Sequence, residues 1–507
     1  MTRVTDYIKN LDALVAAIIG YYVIYLFTKY NGVGISPDSI MYISTARNVH
    51  DHGAFTSFTN KSLVDFPVFY PAFLAFTYFI SGIDPLKAGP VIDGLLFASV
   101  IFISGWLMQR FAPKSIIYKW LILAVIILNP ALLQVYTYMW SETLFIIMVL
   151  LFFIAFSHYL NTHTYKALIV SAIIAGIACI TRYAGITVIG AGGLLLLIDQ
   201  TYPFKKRWGR IFTFGFVAIA FLVINLVRNH LVTGTTTGPR EASVTSFGQN
   251  LAYVGSVIMG WISIINTTYM LPMLVGVLVI VALIIALLFH TFRRNLNNYL
   301  IIAIAFSLVY ILFMVLSATF SRYEQINNRL LAPVYVPLVW ALTWWIIHLP
   351  ARWPVYSKWI IYGVLIITAI FIEYRLYKID YQRYDDQYDY GNPGYTDDDW
   401  KESGTVDWIR RHPQLFKSGV PIYSDAHEAV YWFSGQSNTK LLPHKYFKKD
   451  TDKFYAQKHY YIIWFNELYN AELVHIKDIQ QHNNLKKLEQ FDDGAIYEYN
   501  ESENAAK

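Results

Sequence analysis

Two carboxylates and a group of arginines stand at the ends of apolar runs, where a charge is costly unless it has a partner or a task. Asp38 lies in "SPDSIMYISTAR" (36–47) and Glu142 in "YMWSETLF" (138–145). Arg182 and Tyr183 fall in "TRYAG", Arg228 and His230 in "NLVRNHLVTG", and Arg322 and Arg329 in "SRYEQINNRLLAP". Guanidinium forks bind phosphate oxygens, and a nearby carboxylate can accept a proton. The set suits a phosphate-bearing substrate and a partner hydroxyl that must lose its proton. Each residue also has a plain structural reading. Ser36 and Ser141 are good N-caps, Pro37 suits a first helical position, and an acid in the first turn complements the helix dipole. Long cations prefer membrane interfaces.

Other chemistries lack their signatures. There is no P-loop, HExxH, GxSxG or Cys/His zinc spacing, and no basic aromatic strip for nucleic acid. His50 and His52 in "HDHG" are too few for a metal centre by themselves. The single cysteine, Cys179, lies in an apolar run, which excludes an intrachain disulfide framework and argues against redox work.

What positions these residues must be a membrane. Of 507 residues, 56% are hydrophobic and 15% charged, and the mean hydropathy is +0.39. The first apolar run has no small-residue cleavage site and reads as a retained helix. Eleven spans are expected, near 11–29, 90–108, 118–137, 142–160, 166–181, 184–200, 209–227, 269–290, 298–318, 330–349 and 356–374. "FPVFYPAFLAFTYFIS" (66–81) is short and opens with two prolines. Treating it as lying on or dipping into the outer leaflet puts every strongly basic short loop on one side. Those loops hold Arg3, Lys9, Arg110, Lys114, Lys119, Lys166, Lys205, Lys206, Arg207, Arg210, Arg293, Arg294, Arg352 and Lys358. The positive-inside rule then places the N-terminus inside and the tail outside. In the helix opened by Asp38, Ile40, Ile43 and Val49 are expected on the membrane, with Tyr42 and Arg47 facing water.

The tail changes character. Residues 376–400 read as an acidic, Tyr-rich linker whose carboxylates at 397–399 either cap a helix or hold a cation. Residues 401–507 read as a small α/β domain. "VDWIRRH" and "AHEAVYWFSG" are expected helices, "VPIYSD" and "HYYIIWFN" strands, and "KLEQFDDGAIYEY" a hairpin around Asp493-Gly494.

The order of these segments resembles the GT-C superfamily of integral-membrane glycosyltransferases, especially the bacterial branch related to protein O-mannosyltransferases and aminoarabinose transferases. "SPDSIMYISTARNVHDHGAF" is similar to the family's outer loop, in which an acid opens a juxtamembrane helix. "FPVFYPAFLAF" is similar to its proline-containing amphipathic helix. "NPALLQVYTYMWSETLF", "ITRYAGI" and "NNRLLAPVYVPLVW" resemble later landmarks, and the tail resembles the soluble domain of many bacterial members. The resemblance implies a mainly α, polytopic GT-C fold of about eleven spans with outer helices at 30–89, a transmembrane domain over 1–375, and the α/β domain beyond. It implies inverting transfer of a sugar from a polyprenyl-phosphate donor to a hydroxyl of a lipid, glycan or protein acceptor, at the outer face of the bacterial cytoplasmic membrane. In that scheme Asp38 is the general base and Glu142 orients the acceptor or a metal. Arg182, Arg322 and Arg329 take the lipid phosphate, and Tyr42, Tyr183 and Arg228 are further substrate-binding residues. Where some relatives carry paired acids, this chain has Pro37-Asp38-Ser39, which speaks against a two-carboxylate metal site in that loop. No cofactor is assigned, and a divalent cation stays open.

Two other functions fit a polytopic chain. A transporter or flippase of lipid-linked sugars would carry its charges near mid-membrane in interrupted helices of inverted repeats. Here they gather at one level, and no inverted repeat is evident. A non-catalytic scaffold with an outer binding domain would not need eleven spans.

Overall fold

A computed structural model describes residues 10–111, 116–238, 242–264, 268–293, 296, 298–322, 324–348, 354–466 and 470–504. Arg3, Lys9, Lys114, Arg294 and Arg352 of the basic loops lie outside the described residues. A helix stands at each expected span. Among the described residues, seven are long and apolar enough to cross a membrane: Leu11–Thr28, Pro85–Phe111, Glu142–Thr162, Phe204–Thr233, Met270–Phe292, Tyr299–Phe320 and Val355–Tyr390. The expected span at 118–137 is a broken pair, Ile116–Ile127 and Pro130–Tyr136, bent by 54°. Asn129-Pro130 makes the break. The Asn129 side chain accepts from Leu132 N at 3.0 Å, capping a second helix whose N1 residue is proline. Tyr165–Thr181, at 17 residues, and Ile186–Ile198, at 13, are shorter than a usual span of about 20. Phe69–Ser81 has 13 residues; at 1.5 Å per residue it reaches about 20 Å, too short for a ~30 Å hydrocarbon core.

The chain divides into two compact units. The first contains Met1–Lys29, Leu63–Phe73 and Lys87–Asp386. The Tyr165 helix packs along both the Glu142 and Phe204 helices, and small residues permit the approach: a Cβ at Gly176 would lie 2.5 Å from Phe221.

The second unit contains Tyr30–Ser62, Leu74–Leu86 and Gln387–Lys507. Its helix Pro37–His52 starts as the sequence dictates. Ser36 and Ser39 form a capping box, Pro37 is at N1, and Gly53 ends the helix in the left-handed region at φ 67°. The expected water-facing position of Tyr42 is wrong: Tyr42 is 2% exposed, and Ile40 and Ile43 are fully buried. The helix is wrapped on both sides within its own unit. Phe58 N donates to Ser44 Oγ at 3.2 Å, and Arg47 pairs with Asp84 through two contacts of 2.7 and 3.0 Å.

Residues 376–390, read as linker, continue the last helix to Tyr390. Gly391 and Gly394 then turn the chain at positive φ, and a Cβ on Gly394 would meet Ile35 O at 2.3 Å. Asp397 caps the helix Asp398–Glu402, accepting from Trp400 N and Gly394 N, both at 3.2 Å. The tail folds as a five-stranded sheet of order β2-β1-β3-β5-β4, from β1 (Ile422–Ser424), β2 (Thr439–Leu441), β3 (His459–Phe465), β4 (Lys486–Gln490) and β5 (Gly494–Asn500). β2, β1 and β3 run parallel, and β4 and β5 form the antiparallel hairpin expected there. Central β3 is covered on both faces, which matches its continuous apolar run.

Asp425 follows β1 and accepts from Phe465 N at 3.1 Å. Burial pushes its carboxyl up to about 7. An unfolded Asp titrates near ~3.9, so between roughly pH 4 and 7 the folded chain holds a proton that the unfolded chain has released. Stability is therefore greatest below this window, falls as pH rises through it, and stays lower above it. Asp425→Asn, which is neutral throughout, should raise the unfolding temperature of the full chain at about pH 8 and change it little at about pH 4. Equal shifts at both pH values would show that burial does not control this carboxyl.

Candidate functional site

Glu142 is the first residue of its helix and has no exposed surface. The capping arrangement expected for it is not what forms. Ser141 has helical dihedrals (φ −65°, ψ −16°), and its side chain makes no cap bond. Instead Glu142 lies between two arginines: Arg182 Nη1 is 2.5 Å from Oε2, and Arg329 Nε is 2.6 Å from Oε1. The Ser141 hydroxyl accepts from Arg182 Nη1 at 2.9 Å.

Three distant parts of the chain build this arrangement. Arg182 stands in extended conformation between the Tyr165 helix and a 3-10 turn at Tyr183–Gly185. That turn needs glycine, because a Cβ on Gly185 would meet Ala178 backbone at 2.4 Å. The close turn aims Arg182 at Glu142. Arg329 is the second residue of Asn328–His348, with its guanidinium 4.2 Å above the Trp140 ring. Trp140 in turn stacks on Tyr138 at 4.2 Å with planes 13° apart. The arginine side chains are 16% and 12% exposed. Two guanidinium charges face one buried carboxylate, with Glu324 more distant at 3.7 Å from Arg329 Nη1 and half exposed. Guanidinium forks of this kind are shaped for oxyanions.

Tyr183 and Arg228 meet at a second place in the same unit. Tyr183 Oη donates to Val64 O at 3.0 Å, and Asn229 Nδ2 donates to Tyr183 Oη at 3.1 Å. Arg228 Nη1 donates to Leu63 O and to Asn229 Oδ1. These contacts fix the 63–64 backbone. Arg322 follows the Tyr299–Phe320 helix, half-buried. Asp38 and Tyr42 belong to the second unit, one helical turn apart, with Asp38 half-buried and Tyr42 fully covered.

The sequence reading passed over several polar residues. Asp93, inside the Pro85–Phe111 helix, is fully buried beside Thr143 and Tyr136; an acid within an apolar run was the available signal. Arg383 donates to Pro130 O at 3.1 Å and to Thr137 Oγ1 at 3.0 Å. It thereby ties both ends of the seven-residue helix that leads into Tyr138 and Trp140. Asn229, fully buried, links Arg228 to Tyr183.

No family model and no curated protein matches the chain by sequence. Solved structures do match in three dimensions. ArnT from Cupriavidus metallidurans in the apo state superposes with TM-score 0.56 at 10% identity, over 97% of this chain and 98% of ArnT. The same protein bound to undecaprenyl phosphate gives 0.56 at 10%, over 96% and 97%. The archaeal oligosaccharyltransferase AglB from Archaeoglobus fulgidus, in complex with an inhibitory peptide and a dolichol-phosphate, gives 0.51 at 12%, over 89% and 69%. At these identities the likeness is one of architecture, and end to end the chain has the GT-C fold of integral-membrane glycosyltransferases.

Proposed function

We propose that the protein transfers a sugar from a polyprenyl-phosphate carrier to an acceptor hydroxyl, with inversion, at the outer face of the bacterial cytoplasmic membrane. The observation that carries this reading is the pair of arginine forks held on the buried Glu142 carboxylate. Arg182 and Arg329 take the phosphate oxygens, and Arg322 adds a third cation. Negative charge grows on the phosphate as the glycosidic bond breaks, and preorganised guanidinium groups stabilise charge that develops in the transition state. Asp38 takes the proton of the attacking hydroxyl, and a single displacement inverts the anomeric carbon. Glu142 keeps the two guanidinium groups apart and oriented. Tyr183 and Arg228 hold the 63–64 backbone of the first unit, and Tyr42 lies one turn from Asp38 on its own helix. The fold shared with ArnT, which has been seen with undecaprenyl phosphate, supports a polyprenyl carrier. The arrangement favours no particular sugar or acceptor.

Arg182→Ala tests the phosphate assignment. Glu142 keeps Arg329, so the unfolding temperature should fall only slightly. Loss of a charge-assisted contact worth about 1.5–3 kcal/mol should weaken binding of undecaprenyl phosphate about tenfold or more. Binding to the purified protein and thermal unfolding should be measured side by side. A large stability loss with unchanged affinity would make Arg182 a structural residue.

A further inference from the structure

We propose that the second unit carries an anion site of its own, at Lys61, Thr439 and Lys440, which takes a phosphate group. Residues 56–62 form a closed turn. Thr56 bridges Ser62, Ser57 N donates to Lys61 O at 2.8 Å, and Asn60 sits at φ 59°. The turn is anchored by Phe58, whose ring stacks on Tyr431 at 4.4 Å. Lys61 is therefore presented from a fixed backbone. Opposite it, Asn438 Nδ2 donates to Val420 O at 2.6 Å and locks the entry of edge strand β2 to the turn before β1. Between these parts lies a half-open pocket of about 150 Å³, lined among others by Thr59, Lys61, Ser437, Asn438, Thr439 and Lys440.

Two independent features of this pocket call for an anion. First, it gathers two ammonium groups. Lys440 is pushed below the usual lysine range by burial and by the charge of Lys61. Among the described residues neither lysine belongs to an ion pair. Second, Thr439 is 1% exposed, and its hydroxyl has no hydrogen-bond partner. A buried polar group left unmatched costs roughly 1–3 kcal/mol, so native proteins rarely keep one without a use. A tetrahedral oxyanion would relieve the repulsion and give the hydroxyl an acceptor. The pocket is small and lysine-lined, which suits a compact phosphate and offers no slot for an acyl chain. The phosphate has two chemical sources, an anionic lipid headgroup or a phosphate carried by a water-soluble molecule.

The test reads lysine reactivity in the full chain, so it does not depend on transfer activity. The protein is placed in phosphatidylcholine nanodiscs, and acetylation at Lys61 and Lys440 is followed by mass spectrometry, with exposed Lys477 as the reference. Excess inorganic phosphate, compared with chloride at equal ionic strength, should slow both lysines about threefold or more and leave Lys477 unchanged. In Thr439→Val or Lys61→Met the half-protecting phosphate concentration should rise about tenfold. A second arm replaces phosphate with phosphatidylglycerol in the nanodisc. Protection by free phosphate alone assigns a soluble source, and protection by the lipid assigns a headgroup. Failure to protect both lysines in either arm, or protection that Thr439→Val and Lys61→Met leave unchanged, overturns the site.

Discussion

Asp38→Asn should reduce sugar transfer by about 10²–10⁴, the usual contribution of a positioned general base. It should do so without unfolding the helix it stands in. The N-terminus of Pro37–His52 is closed by Ser36 and Ser39, with Ser39 N donating to Ser36 Oγ at 3.4 Å and Ser36 N to Ser39 Oγ at 3.1 Å. Asp38 takes no part in that box. Its replacement removes a favourable interaction with the helix dipole of about 0.3–1 kcal/mol, which a chain of this size tolerates. Binding of undecaprenyl phosphate should be unchanged, because the amide replaces a residue assigned to the acceptor's proton. The measurement is transfer from a labelled lipid-linked sugar, together with donor binding and thermal unfolding. Turnover within tenfold of the parent would exclude Asp38 as the base, whatever became of the arginines.

The second large effect is on stability. In Glu142→Ala the two guanidinium groups lose the carboxylate between them while remaining mostly covered. Removing one partner from a buried ionic group costs about 3–5 kcal/mol. Glu142→Gln retains the shape and a weaker acceptor, so it should fall between the alanine variant and the parent. Added phosphate distinguishes the clamp from an ordinary structural ion pair. With the carboxylate gone, an inorganic oxyanion can lie between Arg182 and Arg329, so phosphate should raise the unfolding temperature of Glu142→Ala more than that of the parent. Chloride at equal ionic strength gives the baseline. An alanine variant as stable as the parent would mean that the contacts at 2.5 and 2.6 Å carry little energy.

The sequence predicts these elements unevenly, for physical reasons. Long apolar runs, the Ser36-Pro37 start, the Gly435 helix end and the Asp493-Gly494 hairpin are local signals, and the structure follows them. The break at Asn129-Pro130 is equally local, an N-cap followed by an N1 proline, but a continuous apolar composition masks it. The extension of the last helix to Tyr390 is hidden by acidic residues that also suit a solvated linker. Burial of Tyr42 depends on what the rest of its unit lays over the helix, which no periodicity within 37–52 encodes. For the site, residue types are legible, since charges beside apolar runs are rare. Their pairing is not. Glu142 meets Arg329 across 187 residues, and Arg383 acts through Pro130 and Thr137, far from it in sequence.

The same separation gives the protein a schedule during its synthesis. Glu142 enters the membrane with its helix, and the segment bearing Arg182 follows within the next hairpin. Arg329 is 187 residues later. At ~5–20 residues per second, about 10–40 s pass before the ribosome adds it. Once Arg182 is added, and until Arg329 is made, it is the carboxylate's only partner from this trio. A nascent chain halted before the Asn328 helix would therefore hold Glu142 with one of its two guanidinium partners, and the three-part arrangement closes only when the tenth apolar segment is made.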